Sequence, residues 1–230
     1  MRSLIIGMGE VGSAIYEVLR EHHDVETLDL DHKEIRPGFD VMHVCIRHSD
    51  DFLRIVSGYE AKYRPTIIDV CSTVPPKTTE TLGDRACHST TRGLNPNLSE
   101  SLRTFVKHIG GPRASYLADY YRHAGIKTRT HATAKTTELA HILSNSMYGV
   151  GLMFADEASR LCRENGVDYM EAVVEYNQTS NQGYLEMGHR SKMRMILTPP
   201  GGKIGGHCVV QNARLLQNPT PLIQMLVRYA

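Results

Sequence analysis

Apolar positions along this chain alternate between short unbroken runs and stretches with helical spacing. Leu4, Ile5 and Ile6 form a run of the kind shown by strands buried on both faces. Ala14, Ile15, Val18 and Leu19 then recur three and four residues apart, the period of one helix face. Runs at residues 25–29, 40–46, 66–70, 105–109 and 126–130 predict further strands. Helices are predicted after a Ser49-Asp50-Asp51 cap through Val56, at residues 77–82 behind Pro75 and Pro76, and at 112–123. The link from Asp29 to residue 40 is about the minimum for a parallel crossover, so a full helix is not expected there. His22 and His23 are read as cations at the C-terminal end of the first helix.

Near Ala132 the texture changes. Residues 136–164 carry Leu139, Ile142, Leu143, Met147, Val150, Phe154, Ala158, Leu161 and Cys162 on a wide apolar face. At ~1.5 Å per residue this is a helix of roughly 45 Å, with Gly166 as its stop. A further helix, 169–177, follows Asp168 as its cap. The long helix has more apolar circumference than one small domain covers, which predicts a homodimer built on it. The fold expected is α/β: a mostly parallel sheet over residues 1–131, then a smaller all-helical domain over 132–230 for substrate or dimer contacts.

Between the first strand and the first helix, Gly7, Gly9 and Gly12 stand at G-x-G-x-x-G spacing. In a dinucleotide site the three glycines give a tight turn, close approach of backbone to a pyrophosphate, and close helix–strand packing. Asp29 closes the second strand seventeen residues after Gly12, where the ribose hydroxyls would sit. This is the Rossmann-type arrangement. Its cofactor-binding residues are expected to be Gly7, Met8, Gly9, Glu10, Val11, Gly12 and Asp29, with Ser72 and Thr73 past the end of the fourth strand. The pair's other reading is an N-cap for residues 77–82, and the two are compatible. Asp29 favours NAD over NADP, because its charge repels a 2′-phosphate; Lys33 and Arg36 lie close enough in sequence to oppose it.

Composition narrows the class further. A net charge of +1 gives no electrostatic case for nucleic acid or an anionic membrane. No apolar run approaches the ~18 residues of a membrane span, and the glycine turn begins too early for a leader to precede it. Five cysteines without C-x-x-C spacing predict reduced thiols in a cytoplasmic protein. The twelve histidines show no H-x-x-x-H pair, and no metal is expected.

Thr137-Glu-Leu-Ala-His-Ile-Leu-Ser-Asn145 and Gly201-Gly-Lys-Ile-Gly-Gly-His-Cys208, together with the glycine turn and Ser72-Thr-Val-Pro-Pro76, resemble the UDP-glucose/GDP-mannose dehydrogenase family. The resemblance runs to about Asn212. It implies an NAD-dependent oxidoreductase of the 6-phosphogluconate dehydrogenase-like superfamily, in which a cysteine (here Cys208) forms a thiohemiacetal and a thioester. It also implies that the family's third domain, which closes over the sugar nucleotide, is missing after residue 230. The departures are specific. His141 stands where the family has Lys, Asn212 where it has Asp, and Asn97 where it has Glu. Amides keep hydrogen-bonding capacity and lose proton transfer.

The expected catalytic residues are Cys208, His141 and Asn145, meeting on the nicotinamide side of an interdomain cleft, with Arg92, Asn97 and Asn212 toward a small-molecule substrate. Each has a plainer alternative. Cys208 could be an inert buried thiol, His141 a core histidine, and Arg92 the partner of a surface acid. Two functions follow. One is a hydride transfer between NAD and a small alcohol or carbonyl; the other is a dinucleotide-binding sensor or scaffold without turnover.

Overall fold

Seven strands form one sheet in the order β2-β1-β3-β4-β5-β6-β7. They are β1 Arg2–Ile6, β2 Asp24–Leu28, β3 Val41–Val44, β4 Ile67–Val70, β5 Ala86–Ser89, β6 Lys107–Gly110 and β7 Thr128–His131. The computed structural model describes residues 1–30, 34–93, 96–202, 204 and 209–229. It divides into two compact units, Met1–His141 and Ile142–Ala230. Strands β1 to β5 pair in parallel. Strand β6 then runs antiparallel to β5, and β7 follows β6 in parallel. The sheet is therefore mostly parallel, with its last two strands reversed.

The first unit buries both sheet faces. On one, Ile5, Val41 and Ile109 meet α1 (Glu10–Leu19), α3 (Leu98–Thr104) and α4 (Ala114–His123). On the other, Leu4, Ile6, Met42, Val44, Ile68 and Val70 meet α2 (Phe52–Tyr63). No helix occurs between β2 and β3 among the described residues, as the short link required. Helix α2 runs past Val56 to Tyr63 and ends where Arg64 takes the left-handed φ of 48°.

Two local expectations fail. Residues 77–82 form only a 3-10 turn, Thr79–Leu82, because Lys77 has φ 80° and breaks the helical path. Helix α1 stops at Leu19, and His23 is buried with its ring stacked on Tyr120 at 4.1 Å. Burial pulls the His23 pKa down, so it is no helix-end cation. Strand β5 and helix α3 were not predicted at all.

Helix α5, Ala134–Glu164, is the long helix, and the division between the units falls within it. Gly166 (φ 67°) follows its end, and Asp168 Oδ1 accepts from the Glu171 N–H at 3.1 Å as a cap. The next helix is longer than expected: a π-helical turn, Met170–Glu175, runs into α6, Tyr176–Glu186. In the second unit α7 (Val209–Ala213) and α8 (Pro221–Tyr229) contribute Val209, Val210, Ala213, Ile223 and Leu226 to a core with Met153 and Ile204. Gly149 permits this closeness, since a Cβ there would lie 2.4 Å from Val209 and 2.9 Å from Leu226. The described part of this unit contains helices and no strand.

Candidate functional site

The glycine turn sits at the carboxyl end of β1. Gly7 has φ 90°, and its N–H donates to the Leu28 carbonyl of β2 at 2.8 Å. A Cβ on Gly7 would stand 2.9 Å from Ile46 and 3.0 Å from the Cys45 carbonyl oxygen; one on Gly12 would stand 1.9 Å from the Gly7 oxygen. Gly9 differs: nothing lies within 4 Å of its would-be Cβ, and it is the N-cap of α1 without a side-chain cap. Two glycines thus make the turn possible, and the third keeps the helix N-terminus open. The N–H groups and dipole of a helix N-terminus favour an anion. Met8, Glu10 and Val11 line the turn, and exposed Asp29 follows directly on β2. These residues fit the pyrophosphate and ribose of a dinucleotide.

Ser72 is committed elsewhere. Its hydroxyl lies 2.5 Å from the Ile46 carbonyl and 3.1 Å from that of Val44, so it ties the end of β4 to β3 and is not an N-cap. Thr73, the next residue, is half-buried at the same edge.

Through the sheet register His131, the last residue of β7, stands level with His88, Val70, Val44 and Ile6, and α5 begins at Ala134. Thr137 Oγ1 meets His88 Nδ1 at 2.8 Å. One residue on, the Glu138 carboxylate accepts from the N–H groups of Lys77 (2.6 Å) and Thr79 (2.8 Å), fixing the 75–79 loop. His141 comes next, half-buried. Burial first, then the charges of Arg92 and Lys107, draw its pKa down to about 4, which leaves a neutral imidazole at pH 7. Arg92 donates to the Val106 carbonyl at 2.7 Å and lies over the Phe105 ring. The structure thus brings His141 and Arg92 into electrostatic reach of each other. Asn145 lies one turn further along α5, and Asn97 is the N-cap residue of α3. Asn212 is buried in α7, and Cys208 lies outside the described residues.

Sequence reasoning missed a charged cluster on the α4 side of the sheet. His43 (β3) and Asp69 (β4) are wholly buried and joined by a 2.7 Å hydrogen bond from Nδ1 to Oδ2. His43 Nε2 reaches the Tyr120 hydroxyl at 3.2 Å, which itself donates to Ser3 Oγ at 2.8 Å. With that hydroxyl proton spent on Ser3, both ring nitrogens of His43 act as donors, as in an imidazolium. Burial opposes that charge, but Tyr120, Asp69 and Cys71 outweigh it and hold the His43 pKa well above its usual value. Burial likewise opposes the Asp69 carboxylate, and His43 and Lys107 outweigh it, so its pKa lies well below normal.

Tyr121 donates to Asp69 Oδ2 at 2.5 Å, and the Cys71 thiol does so at 3.2 Å. Lys107, also buried, donates Nζ to the Thr90 carbonyl at 3.2 Å. A polar residue inside a strand buried on both faces must find a partner, and that was the available signal at His43 and Asp69.

The His43, Asp69 and Cys71 donor atoms lie within 4.8 Å of one another, the only such group among the described residues. The 2.7 Å His–Asp spacing is shorter than the ~3.3 Å between ligands of a tetrahedral ion, and Lys107 adds positive charge nearby. The donor set therefore fits an ion pair and not a metal.

A Rossmann-type sheet with an open glycine turn defines a nucleotide-binding class of protein, and comparison with known proteins narrows it. No protein-family model matches the chain. It is 27% identical over 149 residues to NDP-N-acetyl-D-galactosaminuronic acid dehydrogenase of Ralstonia solanacearum, a match covering 64% of this chain and 32% of that protein. The chain thus spans about a third of the length of the curated relatives it matches. Its fold is that of UDP-D-ManNAc dehydrogenase from Pyrococcus horikoshii, with a TM-score of 0.80 and 20% identity over all of this chain and 68% of that one. Mycobacterium tuberculosis 3-hydroxyisobutyrate dehydrogenase has a TM-score of 0.75 at 13% identity over 99% of this chain and 91% of its own. The chain is similar to nucleotide-sugar dehydrogenases over about two thirds of its own length.

Proposed function

We propose that this chain is an NAD-dependent oxidoreductase that moves a hydride between the cofactor and a small alcohol or carbonyl substrate. The observation that carries it is the open helix N-terminus at Gly9, built by a turn only glycine permits at positions 7 and 12. The N–H groups at the start of α1 hold the pyrophosphate, and the Asp29 carboxylate accepts from the ribose diol. NAD supplies the hydride acceptor. His141, neutral at pH 7, takes the proton of a substrate hydroxyl while Asn145 holds the substrate oxygen. Cys208 is the residue to which the family resemblance assigns a covalent adduct.

His141→Ala and Cys208→Ser, assayed by NADH absorbance against alcohols, aldehydes and sugar nucleotides, are each expected to lose at least ~10-fold in rate. The acid limb of kcat/KM should fall near pH 4, the value for His141, and not near 6.5. Loss in neither variant removes the site assignment. The amides at 97 and 212, where the family carries acids, support a second reading as a non-catalytic dinucleotide sensor or scaffold. A protein that binds NAD but turns over no substrate would favour it.

Cofactor choice follows from Asp29. NAD is expected to bind more tightly than NADP by at least ~10-fold, about the discrimination from one like-charge clash of ~1.4 kcal/mol. Paired titrations of the two cofactors check it, and equal affinity excludes Asp29 as the selector.

A homodimer through α5 belongs to the same reading. Met147 is 61% exposed and Phe154 68%, with Leu143 and Leu161 about half exposed. Isologous pairing would cover this face. Light scattering at micromolar concentration should give twice the mass of the 230-residue chain. A monomer mass, unchanged by Phe154→Glu, removes the proposal.

A further inference from the structure

Cys45 and Cys71 follow directly on β3 and β4, one position beyond the paired residues Val44 and Val70. Both belong to the sheet face under α1 and α4. Neighbouring strands run about 4.8 Å apart, inside the ~4.4–6.8 Å Cα separation that a disulfide bridges. Cys45 is half-buried, whereas Cys71 is 6% exposed. We propose that Cys45 and Cys71 are a reversible disulfide site lying beneath the glycine turn, and that closing it weakens dinucleotide binding.

The surroundings favour the chemistry. Burial and the neighbouring Asp69 charge oppose ionisation of Cys71, but Cys45, Lys107 and His43 outweigh them, drawing the thiol down to about 6. The thiolate is the reactive form. With hydrogen peroxide as oxidant, the Cys71 thiolate takes one oxygen and, with one proton taken up, becomes a sulfenic acid and releases one water. The Cys45 thiol then attacks the Cys71 sulfur. The S–S bond forms, the S–O bond breaks, and the departing hydroxide takes up the proton lost by Cys45 as a second water. Two thiols lose two electrons and two protons, and one peroxide becomes two waters. A dithiol reductant reverses the bond by exchange.

The coupling to the turn is steric. The Cys45 carbonyl oxygen stands 3.0 Å from a would-be Cβ on Gly7, and the Cys45 Cβ 3.4 Å from one on Gly12. Drawing Cys45 toward Cys71 shifts the floor on which the turn rests. This effect on binding rests on the dinucleotide reading above; formation of the disulfide does not.

The test treats the folded full-length chain with hydrogen peroxide, blocks remaining thiols, and maps peptides by mass spectrometry with and without dithiothreitol. The expected result is a Cys45–Cys71 linked peptide two hydrogens lighter, absent in Cys45→Ala and in Cys71→Ser, while Cys87, pushed up to about 12 by burial, stays reduced. Circular dichroism checks that both variants fold, and the half-buried Cys45 supplies the milder one. NAD titration should show Kd rising at least ~10-fold on oxidation and recovering on reduction, ~1.4 kcal/mol. A Cys71 that stops at sulfenic or sulfinic acid, or a stoichiometric zinc retained by both thiols, overturns the site. A linked peptide with unchanged NAD affinity overturns the coupling. If the reduced chain binds no NAD, the functional reading falls, and the peptide map still decides the disulfide.

Discussion

Replacing Asp69 by Ala is expected to lower folding stability by about 3–5 kcal/mol, because it strands a buried His43 charge beside Lys107. Asp69→Asn, which keeps the shape, should cost less and should return the His43 pKa toward its usual value. The pH dependence gives a second readout. The folded-state pKa of Asp69 is depressed, so its contribution is present above about 4 and is lost as pH falls through the folded value. That of His43 is raised, so its contribution is complete below about 6.5 and is lost as pH rises through the folded value. The pair therefore stabilises most between about pH 4 and 6.5. Denaturant unfolding across pH 4–9, with NMR titration of His43, checks both. An Asp69→Asn protein with an unchanged His43 titration would show that the pair is not coupled.

Gly12→Ala is expected to abolish dinucleotide binding, with Kd rising at least ~100-fold, or ~2.7 kcal/mol. The added methyl would lie 1.9 Å from the Gly7 carbonyl oxygen, a backbone atom that cannot move aside without remaking the turn. Overpacking should also cost about 1–3 kcal/mol of stability. Gly9→Ala separates the two effects. Its φ of −70° is ordinary and its Cβ meets no protein atom within 4 Å, so the fold should keep its melting temperature. Only a pyrophosphate would meet that methyl. Wild-type NAD affinity in Gly9→Ala would show that no dinucleotide lies over the turn.

The β1–turn–α1–β2 unit was legible because every local cue agreed: an apolar run, three spaced glycines, a helical stripe and an acid at the next strand's end. The long helix was legible for the same reason. Strand β5 was not, since Ala86-Cys-His-Ser89 has no apolar alternation to read. Its His88 is buried because Thr137 and the Ser72 carbonyl satisfy the ring, partners far away in sequence. The helix expected at 77–82 failed on a tertiary contact, the Glu138 carboxylate holding the loop at Lys77 and Thr79. His43 and Asp69 were hidden inside runs that read correctly as strands. Periodicity finds the strand; only register sets the two side chains next to each other.

The strand order has a consequence for association. An open sheet exposes two edges, which here are β2 and β7. Strand β2 carries Asp24 and Glu26, the latter held by Arg2 at 2.6 Å, and β7 carries Arg129 within only four residues. Short, charged margins of this kind resist strand-to-strand accretion between copies. Neither margin offers a second copy an inviting ladder, which guards the sheet against fibril-like stacking.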